Sequence, residues 1–219
     1  IIEWDPTKPL SHIEDNIDIV INLCGENVAS GRWTSKRKRA IYNSRILATR
    51  NLIHYFQKNS HPIKAWISAS AIGVYENSVV SDESAPSGQE FLAKICKDWE
   101  KETFKARDLN IRTIAFRIGI VLGFDGGAMK KMLPMFKLGL GGNISSGNQW
   151  MSWIHVRDLA GLIVEAIDNP SFEGPVNAVS PNPVTNREFT STLAEILKRP
   201  AFFPVPGWIL TLLLGEMSQ

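Results

Sequence analysis

The sequence predicts an α/β protein with a parallel central sheet, and three observations support that fold class. Strand-like and helix-like segments alternate along the chain, as they do in successive β–α–β units. Several strand-like segments are short, continuous apolar runs, which suit strands covered on both faces. These runs end in small residues, most clearly at residues 66–75 (WISASAIGVY). Because ligands of such sheets lie at the carboxyl ends of the strands, we expect a crevice beside Ser68 and Ser70.

The first half of the chain is predicted to contain three strands separated by two long helices. Residues 17–23 (IDIVINL) form the first buried strand. Thr34 can cap the helix that follows, which extends to about residue 59 with apolar residues along one side. The remaining elements are a strand at 66–70, a helix at 91–109 and a strand at 111–118.

The second half continues the alternation and ends in a separate small unit. After a glycine-rich turn at 125–127, the predicted elements are a helix at 129–138, a strand at 150–156, a helix at 158–169 and a strand at 175–179. Pro134 is expected to kink the first of these helices. Thr185 and Glu188 have capping-box spacing and open a helix that extends to Lys198. We therefore predict a sheet domain over 1–184 and a small carboxyl-terminal lobe over 185–219.

The bulk composition is that of an ordinary globular protein and excludes some classes of partner. The 219 residues are 44% hydrophobic and 21% charged, with a net charge of +2. That charge is too small to indicate nucleic acid or an anionic membrane as the partner. The basic run at 36–39 (KRKR) lies in a helical pattern, where it is either a solvated face or an anion-binding site.

Cysteine usage and the chain ends lead to expectations about location and length. Cys24 and Cys96 have neither metal-ligand nor disulfide spacing, so we expect no metal site and a reducing, cytoplasmic setting. No apolar run is long enough to cross a bilayer, and the run at 208–214 suits a buried helix. Because the chain begins as if inside a strand (IIEW) and stops soon after a helix starts, we expect a piece of a longer protein.

Small residues recur where three predicted strands end. They lie at Leu23-Cys24-Gly25, at Ser68-Ala69-Ser70 and between Arg117 and Gly123. Such residues allow the flat rings and the pyrophosphate of a dinucleotide to approach the backbone. Alternatively, they only allow helices to pack closely against the strand ends.

Six stretches of the chain together resemble an atypical, epimerase-like branch of the short-chain dehydrogenase/reductase superfamily. They are NLCGENV (22–28), GRWTSKRK with NSRI (31–46), ISASAIGVY (67–75), FLAKICKDWE (91–100), RIGIVLG (117–123) and GLGGNISSGNQWMSWIHVRDLAGLI (139–163). The resemblance implies a Rossmann-like, doubly wound sheet that binds NADP or NAD, with NADP slightly favoured. It also implies that the lobe beginning near Thr185 contacts the substrate.

The sequence departs from the superfamily pattern in two places. No strand here is followed by a GxxGxxG turn, so the first β–α–β unit, which cradles the pyrophosphate, is absent from these residues. The usual Tyr-x-x-x-Lys pair is also missing, because alignment through Glu100 places Leu92 and Cys96 at its positions. A tyrosine needs a nearby cation to exchange protons near neutral pH, so the usual proton-transfer machinery is absent.

Two residues are candidates for catalysis in place of that pair. Ser70, at a strand end, is expected from the resemblance to orient a substrate oxygen. Tyr75 follows one short turn later, and its hydroxyl either reaches the crevice or packs at the turn. His155 is either a hydrogen-bonded structural residue or a base. Cys96 is either a buried apolar residue or a nucleophile.

The resemblance also implies a set of cofactor and substrate contacts. Arg45 suits pyrophosphate or ribose oxygens, or else pairs with an acidic residue elsewhere. Leu23 and Leu122 would give apolar backing to the ribose and nicotinamide. The full cofactor set is Leu23, Cys24, Gly25, Arg45, Ser68, Ala69, Arg117 and Leu122. The substrate set is Gln149, Trp150 and Met151, and Trp153 either joins it or packs between the domain and the lobe.

The function predicted from these residues is that of an NAD(P)-binding oxidoreductase or epimerase acting on a small molecule. The alternative is a protein that binds NAD(P) without turnover and serves as a redox sensor or interaction module, because the catalytic pair is missing. By analogy with relatives, the helices at 34–59 and 91–109 are candidates for a homodimer interface.

Overall fold

The computed structural model describes residues 3–10, 12–13, 16–76, 81–124 and 126–204. The strands are β1 (Ile19–Asn22), β2 (Ala65–Ala71), β3 (Arg112–Ile118), β4 (Ile120–Gly123), β5 (Trp150–Met151), β6 (Trp153–His155), β7 (Gly174–Ala178) and β8 (Val184–Thr185). The α-helices are α1 (Ser35–Lys58), α2 (Phe91–Thr103), α3 (Gly127–Lys137), α4 (Val156–Asp168) and α5 (Asn186–Leu197). Short 3₁₀ helices cover Ile72–Val74 and Phe104–Leu109.

The central sheet is parallel throughout and confirms the predicted fold class. Its four strands lie in the order β1-β2-β3-β7. The register pairs Asn22 with Ser68 and Ser70 with Arg117. Since all four strands point the same way, their carboxyl ends meet at one edge of the sheet.

Helices cover both faces of this sheet, as a doubly wound fold requires. Trp66 and Ile67 are neighbours on β2 and therefore point to opposite faces. Trp66 packs with Phe56 of α1 in one fully buried cluster, whereas Ile67 packs with Ala166 of α4 in another. Both β2 residues are completely excluded from solvent.

The helix termini follow local signals in the sequence. The Thr34 hydroxyl accepts a hydrogen bond from the Arg37 amide at 3.2 Å, and α1 ends at Lys58 as predicted. Both hydrogen bonds of the capping box are present: the Thr185 hydroxyl accepts from the Glu188 backbone amide, and the Glu188 carboxylate accepts from the Thr185 backbone amide. The predicted start of α5 is therefore confirmed. The second long helix is shorter than expected because it tightens into the 3₁₀ helix after Thr103.

The strand predicted at 150–156 divides into two strands that pair in different places. β5 pairs antiparallel with β8, and β6 pairs parallel with β4. The break falls at Ser152, whose carbonyl accepts a hydrogen bond from the Ile120 amide at 2.9 Å. Residues 205–219, which include the predicted helix at 208–214, lie outside the described residues. Within the described part of the chain, no helix is both long and apolar enough to span a membrane.

Candidate active site

The end of β1 is shaped by the side chain of Asn22. This buried amide donates to Thr49 Oγ1 at 2.9 Å and accepts from the Cys24 amide at 3.2 Å. The chain therefore turns immediately after the strand. Leu23 is 56% exposed there, and Cys24 is half-buried.

Arg45 of α1 lies against this turn. A Cβ atom added to Gly25 would come within 2.9 Å of its Cζ, so only glycine allows the guanidinium this close. Arg45 Nη1 donates to the carbonyls of Glu26 and Ile41, each at 3.1 Å, and its Cζ lies 5.2 Å from the centre of the Trp99 ring.

Among the described residues Arg45 has no carboxylate in an ion pair with it, and the nearby Glu26 carboxylate, which acts on its charge, is itself paired with Arg37. Arg45 Nε and Nη2 also have no hydrogen-bond partner in the described part of the chain. Burial lowers the pKa of Arg45, which is the mark of a partly desolvated cation. Two donors are therefore available to an anionic or hydroxylated ligand.

The end of β2 carries two buried serines. Ser68 is fully buried, and its hydroxyl has no partner among the described residues. Ser70 is 3% exposed and donates to Glu100 Oε1 at 2.7 Å. The Ser70 hydroxyl is thus directed into the protein, which differs from the expectation that it orients a substrate oxygen. Ala69 lies between the two serines on the same strand.

Arg117 and Glu100 form a buried ion pair. Arg117 Nε and Nη2 donate to the two carboxylate oxygens of Glu100, both at 2.9 Å. Arg117 Nη1 donates to the Tyr75 hydroxyl at 2.8 Å and to the Glu83 carbonyl at 3.0 Å. Burial alone would lower the pKa of Arg117, but the hydrogen bonds to Glu100 and Tyr75 outweigh it and raise that pKa.

These contacts hold Arg117 within the protein. The residue is 7% exposed, and its guanidinium is fully engaged by protein groups. All three guanidinium nitrogens of Arg117 already have protein partners, and a contact with the cofactor stays a prediction. Its role is to link β3 to α2 and to hold the Tyr75 hydroxyl.

Tyr75 follows the 3₁₀ helix at the end of β2, and its side chain reaches Asn177 of β7. Its hydroxyl donates to Asn177 Oδ1 at 2.7 Å while accepting from Arg117. The backbone N–H of Asn177 donates in turn to the Glu83 carboxylate at 2.8 Å. The loop containing Glu83 is thereby held against β3 and β7.

A cleft of about 270 Å³ opens beside Tyr75. Its lining residues are Ile72, Tyr75, Glu76, Ser81, Trp150, Ser152, Asn177, Val179, Ser180, Pro181 and Pro183. Of the predicted substrate residues, Trp150 lines this cleft. Gln149 Nε2 donates instead to the Ile144 carbonyl at 3.0 Å, and Met151 Sδ accepts from Asn186 at 3.3 Å.

Leu122 lies on β4, which follows β3 after the single residue Gly119. A Cβ atom at Gly119 would come within 2.7 Å of the Ser152 carbonyl oxygen, so a glycine is needed for β4 to pass β6 this closely. Leu122 follows on β4, paired with His155. His155 caps α4 by accepting from the Arg157 amide at 3.3 Å, which is a structural role.

Cys96 occupies the position at which the superfamily pattern has lysine. The residue is 4% exposed, and burial, followed by the charge of Glu100, raises its pKa to about 11. Its thiol is neutral near physiological pH, so it supplies neither a cation nor a thiolate. Over the described ranges, no group of three or more His, Cys, Asp or Glu side chains is arranged to hold a metal ion.

Sequence reasoning missed the partners Glu100, Asn177 and Glu83. Glu100 is an acidic residue among the buried residues of α2, and such a residue is a sign of a buried ion pair. Asn177 lies on the five-residue strand β7 and Glu83 in a turn, and neither stretch has a periodic pattern that marks these residues.

The fold and the strand-end site define a class, that of Rossmann-like proteins with a ligand crevice at the carboxyl edge of a parallel sheet. Within that class, the family model of the NAD dependent epimerase/dehydratase family matches residues 5–179. The chain belongs to this family, and the predicted relationship is confirmed.

Several proteins of known sequence or structure are similar to this chain. The Arabidopsis thaliana "Epimerase family protein SDR39U1 homolog, chloroplastic" is 43% identical over 90% of this chain, which spans 57% of that relative's length. The crystal structure of human epimerase family protein SDR39U1 (isoform 2) with NADPH gives a TM-score of 0.87 at 33% identity, covering 96% of this chain and 72% of that one. The crystal structure of a nucleoside-diphosphate sugar epimerase from Corynebacterium glutamicum gives a TM-score of 0.72 at 34% identity. The match covers 96% of this chain and 45% of that one.

Proposed function

We propose that this protein binds NADP or NAD along the carboxyl edge of its sheet and acts as an oxidoreductase or epimerase on a small molecule. The observation that carries the proposal is Arg45, a partly buried cation without a carboxylate partner among the described residues, packed on Gly25 where the parallel strands end. The human relative solved with NADPH supports this choice and favours NADP over NAD.

The residues at the edge fit such a cofactor in size and charge. Arg45 Nε and Nη2 would donate to phosphate or ribose oxygens, as charge-assisted hydrogen bonds do best. Leu23 would offer exposed apolar surface to a ring, with Cys24 beside it, and Ala69 would leave room there because its side chain is small. Ser68 is fully buried, and its contact with the cofactor stays a prediction. Leu122 would contribute from β4. When bound, the cofactor would supply or accept hydride at its nicotinamide ring.

Titration of the full-length protein with NADPH and NADH by calorimetry tests the proposal. We expect saturable binding, with tighter binding of NADPH. Arg45→Met should weaken it about tenfold or more, because one charge-assisted hydrogen bond contributes about 1.5–3 kcal/mol. Arg50→Met serves as the matched control, since it removes an arginine of the same helix that is paired with Glu102 at 2.8 Å. Failure of both nucleotides to bind would refute the proposal.

A second candidate function is binding of NAD(P) without turnover, as in a redox sensor. Two observations favour it: the buried neutral thiol of Cys96 stands where a lysine is expected, and the Ser70 hydroxyl is directed toward Glu100. Hydride transfer to or from a panel of sugars, ketones and aldehydes separates the candidates. Turnover that is lost in Tyr75→Phe would exclude the sensor. Binding of NADPH without any turnover would favour it.

The domain division at residue 184, the homodimer and the cytoplasmic location remain predictions. The helices proposed for a dimer, α1 and α2, pack against each other within one chain. Light scattering after gel filtration of the full-length protein measures the assembly state. A cell fractionation experiment tests the predicted cytoplasmic location. An organelle is the other outcome to test for, because the Arabidopsis relative is described as chloroplastic.

A further inference from the structure

The cleft beside Tyr75 adjoins the edge proposed for the cofactor. Ile72 and Tyr75 follow directly from the end of β2, and Asn177 lies on β7, next to β3. A ligand in the cleft would therefore lie beside a nicotinamide placed at the strand ends. The following inference rests on that proposed function and concerns the class of substrate.

The cleft is lined by aromatic, aliphatic and neutral polar groups. Trp150, Tyr75, Ile72, Val179 and two prolines supply the apolar surface, and three serines with Asn177 supply neutral polar atoms. Glu76 is the charged member, and none of the described lining residues is Lys, Arg or His.

The nearest guanidinium does not change this charge balance. Arg117 lies behind the Tyr75 ring, with its Cζ 5.0 Å from the ring centre, but it is paired with both oxygens of Glu100. Its third nitrogen is taken by the Tyr75 hydroxyl and the Glu83 carbonyl. A diphosphate placed in the cleft would lose hydration without gaining a cation, and Glu76 would repel it.

From this lining we infer that the cleft binds a small, uncharged molecule and not a nucleoside diphosphate sugar. A flat or cyclic apolar part would pack on the Trp150 ring, which is 52% exposed, and a polar oxygen would face Asn177 and the serines. A volume of about 270 Å³ is also slightly below the usual range for ligand pockets, which is about 300–1,000 Å³. The chain would thus differ in substrate from the C. glutamicum relative, a nucleoside-diphosphate sugar epimerase.

The test compares charged and uncharged probes on the full-length protein, with and without NADPH. Saturation-transfer NMR and tryptophan fluorescence would measure binding of 1-tetralone, cyclohexanone and UDP-glucose. We expect at least one ketone to bind with a Kd below about 1 mM and UDP-glucose to show no saturation in that range. Trp150→Ala should weaken ketone binding about tenfold, because a buried aromatic contact contributes more than 1 kcal/mol. Phe202→Ala is the control, since that ring is 82% exposed and lies away from the cleft.

Two results would overturn the inference. One is saturable UDP-glucose binding that Trp150→Ala weakens. The other is that neither ketone binds, or that Trp150→Ala leaves their binding unchanged. The ketones are also titrated without cofactor. If the protein does not bind NADPH but does bind a ketone, the result would count against the proposed function and not against the substrate class inferred for the cleft.

Discussion

The Tyr75 hydroxyl lies 2.8 Å from Nη1 of Arg117; Tyr75 follows the 3₁₀ helix after β2, and Arg117 lies near the carboxyl end of β3. In the superfamily pattern a lysine accompanies the catalytic tyrosine, whereas here a guanidinium accompanies Tyr75. The cation is already balanced by Glu100, so the tyrosine receives a positioned hydrogen bond more than a net positive charge. The arrangement favours a role for Tyr75 in shaping and polarising the cleft.

Removal of one partner of the buried Arg117–Glu100 pair should be strongly destabilising. Arg117→Met leaves the Glu100 carboxylate, 9% exposed, buried without its partner. We expect the free energy of unfolding to fall by about 3–5 kcal/mol, because an unpaired buried charge is that costly. Urea unfolding followed by circular dichroism measures the change. The double variant Arg117→Met/Glu100→Gln should recover part of the loss, and strict additivity would show that the two residues do not interact.

The two cysteines should differ sharply in reactivity. Burial raises the pKa of Cys96 to about 11, so its thiolate is scarce near neutral pH, whereas Cys24 is half-buried. In native protein we expect a thiol reagent to modify Cys24 slowly and Cys96 only after unfolding. Cys24→Ser is the control and should leave almost no native reactivity. Rapid modification of Cys96 in that variant would contradict the burial described above.

The raised pKa of Cys96 also predicts how stability depends on pH. The folded state keeps the proton to about pH 11, whereas the unfolded thiol releases it near its ordinary value of 9.0. Between those values the folded state binds more protons, so this contribution to stability falls as pH rises. Urea midpoints measured across that window should decline less steeply in Cys96→Ala than in the wild type. An equal decline of the urea midpoint with pH in Cys96→Ala and the wild type would contradict a raised pKa of Cys96.

The parts of the fold that were predictable depend on local chemistry. Thr34 and the pair Thr185–Glu188 cap their helices through bonds to residues three positions away, so the helix starts can be read from the chain. The pairing of β5 with β8 involves two residues per strand and leaves no periodic pattern to detect. The same limit applies to the site. Tyr75 and Trp150 were placed near the cleft, but the partner of Arg117 lies on another helix and is determined by tertiary packing.

The turn after β1 should depend on Asn22. Its amide bridges Thr49 and the Cys24 backbone while only 2% exposed. We expect Asn22→Leu to lower the free energy of unfolding by about 1–3 kcal/mol, because the Cys24 amide loses its acceptor and Thr49 Oγ1 keeps only the bond from Trp99. NADPH binding by the full-length protein should weaken as well, since the Cys24 turn loses its anchor. Asn51→Ala is a suitable control: that side chain donates to the carbonyls of Pro6 and Lys8, away from the strand ends. An equal loss of NADPH affinity in the control would assign the effect to general destabilisation.

A methyl group at Gly25 should separate ligand binding from stability. Its Cβ would lie 2.9 Å from Cζ of Arg45, which is the far end of a flexible side chain and can move aside. We therefore expect Gly25→Ala to change the free energy of unfolding by less than about 1 kcal/mol. The displaced guanidinium would no longer face the strand ends, so NADPH affinity should fall about tenfold. Gly161→Ala is the matched control, because a Cβ there meets nothing within 4 Å and alanine favours the helix by about 1 kcal/mol. Calorimetric titration of both full-length variants decides the matter: unchanged NADPH affinity in Gly25→Ala would mean that the position of Arg45 over this turn does not serve the cofactor.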